Sequence, residues 1–103
     1  MITTTPLQAL FVMNDPFAHE QAEGLAQRVA AAFPGNMVAR ISLAHKLLYG
    51  REATAAETSE AVVYLAGFRA RLPTDQPPTE REASAWTSYA RALMGANEFI
   101  FLD

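Results

Sequence analysis

Apolar side chains recur along this chain at spacings of three and four residues, and prolines, glycines and capping residues break the recurrence at intervals. Thr4 and Thr5 precede Pro6, and Leu7, Leu10, Phe11 and Asn14 then fall on one face. A hydroxyl can satisfy a free N–H at a helix start, and proline loses nothing at the first position, so a short first helix ending near Asn14 is predicted. Asp15-Pro16 repeats the start signal, because the residue before proline resists helical geometry while the Asp carboxylate can cap the next helix. A second helix from Pro16 to about Phe33 should therefore bend away from the first. Its inward stripe reads Ala18, Ala22, Leu25, Val29 and Phe33, and Pro34-Gly35 stops it.

Asn36 is a predicted cap for a third helix, which carries Met37, Ile41, Ala44 and Leu48 along one stripe with Leu47 beside it. Gly50 stands where a helix needs a left-handed residue to close. Thr54-Ala55-Ala56-Glu57 has the spacing of a capping box, in which the hydroxyl and the carboxylate each satisfy a backbone N–H of the other. This is the most specific local signal in the chain. The fourth helix, beginning there, places Ala61, Val62, Leu65, Phe68 and Leu72 inward and ends at Pro73.

Residues 73–79 form a proline-rich connector with no helix or strand of its own. Thr79 or a neighbour begins a fifth helix, in which Trp86, Ala90, Leu93 and Asn97 share a face, and Gly95 lies near its end. Phe99-Ile100-Phe101-Leu102 would invite aggregation in water, so the tail is expected to fold back onto the helices. No stretch alternates with a period of two for long enough to make a sheet. The pattern predicts an all-α fold, a compact irregular or orthogonal bundle of about five helices with no significant β-sheet, occupying residues 1–103 as one domain.

Half of the 103 residues are apolar and 18% are charged, which is too much apolar surface for a disordered chain. No apolar run approaches the ~20 residues of a membrane-spanning helix, and no signal peptide is evident at the start. The absence of cysteine removes disulfides, thiolate nucleophiles and thiolate metal sites. With a net charge of −3 and only a mildly positive middle third, the chain has no basic stripe for a nucleic acid backbone.

Candidate chemistry is sparse. His19 and Glu23 stand four apart on one helix, but two ligands do not make a metal site, and a solvated helix face is the plainer reading. His45 sits at the edge of the buried stripe of the third helix, and nothing near it in sequence supplies the partner or pocket of a general base, so it reads as a partly buried structural histidine. Glu57 and Glu60, and Glu80 and Glu82, are close pairs, yet Glu57 already has a capping role and Glu80 and Glu82 suit the positive end of the fifth helix. There is no phosphate-cradling glycine loop, no Gly-x-Ser-x-Gly turn and no His-Glu-x-x-His helix. Gln8, Asn14, Arg40, Arg51, Asn97 and Glu98 abut strongly apolar runs, and buried polar groups must be paired. Arg40 or Arg51 is accordingly expected to bridge the third-helix region to Asn14-Asp15 or to Asn97-Glu98.

Three stretches carry a resemblance. Thr5-Pro6-Leu7-Gln8-Ala9-Leu10 with Asn14-Asp15-Pro16-Phe17, Leu47-Leu48-Tyr49-Gly50-Arg51 with Thr54 and Glu57, and Trp86 through Ala92-Leu93 to Asn97-Glu98-Phe99 together resemble the C-terminal part of the planctomycete-specific, cytochrome-c-associated proteins of unknown function. The resemblance implies a C-terminal helical region of a larger exported or periplasmic protein with a haem-binding domain near its front. It brings no established catalytic residue and no cofactor for this chain; haem would belong to an upstream domain. It also implies that a face buried in the parent against other domains is bare here, so an apolar patch or a self-association covering it is expected.

Two functional readings stand from the sequence, with nucleic acid binding disfavoured by charge. One is a non-catalytic module that completes or docks onto a larger assembly. The other is a fragment of a hydrolytic or carbohydrate-active enzyme whose remaining residues lie upstream; a deep pocket uniting His45 with a carboxylate and an arginine would favour it. For the isolated chain the balance falls against an enzyme.

Overall fold

A computed structural model of the chain describes residues 16–96. They form four helices and, among the described residues, no strand: α1 (Pro16–Ala32), α2 (Met37–Tyr49), α3 (Ala55–Arg71) and α4 (Pro78–Met94). The chain is an all-α helical bundle. The first predicted helix and the apolar tail lie outside the described residues, as do Gln8, Asn14, Asp15, Asn97 and Glu98.

The helix boundaries follow from short-range chemistry. Asn36 accepts the N–H of Ala39 at 3.0 Å and so caps α2, whose far end closes on Gly50 at φ 76°, with the Gly50 N–H donating to the Lys46 carbonyl. An L side chain is strained in that left-handed conformation, which is why glycine stands there. At α3, Thr54 Oγ1 accepts the Glu57 N–H at 3.1 Å while the Thr54 N–H donates to Glu57 Oε1 at 2.9 Å, completing the capping box. Arg81, near the start of α4, donates to the carbonyls of Arg69, Leu72 and Pro73 and so satisfies the end of α3. α4 starts at Pro78, inside the predicted connector, and has no side-chain cap.

α1 and α4 share the most extensive packing. Ala18 and Ala22 meet Ala90 and Met94, while Ala26 and Val29 join Ala85, Trp86 and Tyr89, so the two helices run antiparallel. Ile41 and Ala44 from α2 and Ala61 and Leu65 from α3 complete the larger cluster, against which Leu25, Met37 and Phe68 also pack. Each fully buried large apolar side chain contributes about 1.5–3 kcal/mol.

Four predicted apolar positions are corrected. Phe33 is 39% exposed because α1 ends at Ala32 and the chain turns there. Val62 is 38% exposed because Ala61, Leu65 and Phe68 take the inward face, and the next residue of a helix lies a quarter turn away from it. Leu47, placed beside the α2 stripe, is also partly exposed, and Leu72 caps α3 instead of ending its stripe.

Candidate functional site

The site begins with α2. His45 is 2% exposed, and its Nδ1 lies 2.9 Å from the carbonyl oxygen of Ile41, one turn earlier. A carbonyl only accepts, so Nδ1 carries a proton and donates it to Ile41. Nε2 stands 3.8 Å from Glu57 Oε1, longer than a hydrogen bond. The histidine is thus more deeply buried than the sequence implied, and it acquires through the fold the carboxylate neighbour that the sequence alone did not supply.

Glu57 is held from several directions. Arg51, in the link between α2 and α3, donates Nη1 and Nη2 to its two oxygens at 2.8 Å each, and the Thr54 N–H adds a further bond. The Arg51 guanidinium, with the Thr54 amide, lowers the Glu57 carboxyl to about 2. Arg51 also lies over the Tyr49 ring at 5.6 Å and donates to the Glu52 carbonyl. A carboxylate so tightly ionised does not shuttle protons near neutral pH.

His45, Tyr49, Glu57, Glu60, Tyr64 and Tyr89 surround a hollow of about 310 Å³ that Leu93 and Ala96 also line. Tyr49 donates its hydroxyl to the Leu93 carbonyl at 2.7 Å, and its ring meets His45 edge-on. Tyr64 is tied by its hydroxyl to Ser88, and its ring is tilted against Tyr89 at 5.8 Å. Tyr89 is 6% exposed, and its hydroxyl has no hydrogen-bond partner among the described residues. Burial, with Tyr49, Glu57 and Glu60 nearby, pushes its phenol well above the ordinary value, so it stays neutral. The walls therefore offer tyrosine rings and hydrogen-bond acceptors, and among the described residues no serine, threonine or cysteine lines them.

The other sequence candidates serve the bundle. Arg40 donates to the carbonyls of Phe33 and Ala30 at the end of α1 and lies over Trp86 at 5.7 Å. The partners that the sequence suggested for Arg40 and Arg51 lie outside the described residues. Glu82 accepts from Arg69 and from Trp86 Nε1, and the Arg69 bond lowers its carboxyl. Arg40, Glu82 and Trp86 line one side of a second hollow of about 450 Å³ between α1 and α4, which Ala26, Ala30 and Ala83 also border. His19 and Glu23 pair at 3.5 Å on a half-exposed face. Among the described residues no three potential ligands converge as a metal site would require, and no helix is long and apolar enough to cross a membrane.

Tyr64 and Tyr89 are aromatic residues of the hollow that sequence reasoning missed, although the spacing of Tyr89, three from the predicted core residue Trp86, was a usable signal. Residues 1–65 match the family model PSD1: Protein of unknown function (DUF1553). No curated protein and no solved structure matches the chain.

Proposed function

The chain belongs to the PSD1 family of proteins of unknown function, and from that premise we propose that it is a non-catalytic helical interaction module of a larger exported, cytochrome-linked protein. One observation carries the reading. The outer face of α3 exposes Val63 at 72%, with Val62, Ala66 and Ala70 alongside, and no charged residue stands between Glu60 and Arg69. An apolar helix face left uncovered among the described residues supports a contact surface.

The occupant is another domain of the same polypeptide. α3 is about 25 Å long, so one of its faces covers roughly half of the ~800 Å² per partner that a stable complex of separate molecules buries. A tethered domain needs less, since its effective concentration is high. The cytochrome link and the export rest on the resemblance carried by the three sequence stretches, and any haem would sit in the upstream part.

Val63→Glu tests the reading, because it places a charge on the face without touching the core. When the remainder of the parent polypeptide is supplied as a separate molecule, V63E is expected to weaken its association with the chain at least ~10-fold. Equal affinity would overturn the proposal, as would a parent reading frame with no haem-attachment motif for its cytochrome component. The enzyme-fragment reading draws on the meeting of His45, Glu57 and Arg51 beside one hollow. It is the weaker one, since Glu57 is already held by Arg51 and Thr54 and, among the described residues, no serine, threonine or cysteine lines the hollow beside His45.

A further inference from the structure

We propose that the hollow between α2, α3 and α4 binds a small organic ammonium group. The inference rests on residues other than Val62, Val63, Ala66 and Ala70, and so does not depend on the docking face.

Each wall limits what the hollow can hold. The His45 Nδ1–H is taken by the Ile41 carbonyl and is not offered to a ligand. Glu57 is ionised but balanced by Arg51. Glu60 lines the same hollow, is exposed, and has no ion-pair partner among the described residues, so its carboxylate is open to a cation. Among the lining side chains, the donor left without a partner is the Tyr89 hydroxyl. Acceptors and negative charge together repel an anion, and a neutral polyol would make no use of Glu60.

The aromatic rings select further among cations. A cation is attracted to the face of a phenol ring, by about 0.5–2 kcal/mol depending on desolvation, and cages of such rings hold alkylated ammonium groups. Tyr64 and Tyr89 stand at an angle of 53° to one another, forming two walls of a corner. Neither ring is loose: Tyr64 is tied to Ser88 and stacked on Phe68, and Tyr89 meets Trp86 edge-on. The corner is built before any ligand arrives, so little ordering opposes binding. The volume, about 310 Å³, suits an ammonium head with a short alkyl stem and excludes a large ligand.

The ammonium could come from a free amine or from a lysine side chain of a partner. Titration of the whole chain, followed by the NMR signals of His45, Tyr64 and Tyr89, separates these sources with two probes: choline, and acetyl-lysine amide with its side-chain amine free. Saturable shifts with one or both are expected, and the stronger binder identifies the source. Dimethylbutanol, the neutral isostere of choline, should bind at least ~10-fold more weakly if charge is recognised. Glu60→Gln, on an exposed position, should weaken binding about fivefold with no loss of stability, and Tyr64→Leu should do so by a similar factor. Absence of any saturable shift at tens of millimolar probe would overturn the proposal. So would dimethylbutanol binding as well as choline, or an unchanged affinity in E60Q.

Discussion

The seam between α1 and α4 and the corner between α2 and α3 hold this bundle together by opposite means. The seam is small and apolar: Ala18, Ala22 and Ala26 let α1 approach Ala85 and Ala90 of α4 closely, and Val29, Trp86, Tyr89 and Met94 fill the remaining space. Its stability comes from area removed from water and from close packing, which has no direction. The corner is polar and directional. Asn36, Gly50, Arg51, Thr54 and Glu57 fix where α2 starts and stops and where α3 starts, and Glu57 is shared between a helix cap and a guanidinium. The seam is expected to supply most of the stability, while the corner sets where α3 begins relative to α2.

That division can be broken most forcefully at Trp86. Trp86→Ala removes the largest side chain of the seam, 3% exposed, and is expected to cost about 3–5 kcal/mol in urea unfolding. A loss comparable to that of a surface substitution would show that the seam is not the main support.

The corner should give a smaller effect with a pH signature. Since the folded-state Glu57 carboxyl is depressed to about 2, below its unfolded value, the stabilisation it provides is fully present above about pH 5 and is lost as pH falls toward 2. Glu57→Gln is expected to cost about 2 kcal/mol at neutral pH, allowing for the partial exposure of the side chain. The difference between E57Q and the unsubstituted chain should shrink steadily across that acid window. A difference independent of pH would mean that the carboxylate charge does not matter to the corner.

Gly50→Ala probes the same corner through the backbone. Nothing crowds a Cβ there, so the cost is the left-handed conformation alone, about 1 kcal/mol. A neutral or stabilising result would place the turn elsewhere in solution.

The two regions also differ in how far the sequence revealed them. The start of α1 at Pro16, the Asn36 cap, the Gly50 closure and the Thr54–Glu57 box are each decided by residues within one turn of each other, so spacing alone located them. Ala18, Ala22 and Val29 were readable for the same reason. Which side of a helix faces inward at its margins was not: Val62 and Phe33 depend on how neighbouring helices cross, and Ala85, Tyr89 and Met94 are buried because α1 lies across all of them. The hollow was the least readable, because His45, Glu57 and Tyr89 come from three helices and only tertiary packing brings them together. Arg69 and Glu82, thirteen residues apart on different helices, were hidden by the same distance in sequence.

Most depends on the outer face of α3 being a contact surface. Because the chain has no cysteine, a single Val63→Cys gives one thiol on that face and nowhere else. Its rate of reaction with a maleimide can be compared in the isolated chain and in the parent polypeptide. Fast labelling is predicted for the chain alone, and at least ~10-fold slower labelling in the parent if the proposed docking covers the face. Equal rates in both would contradict it.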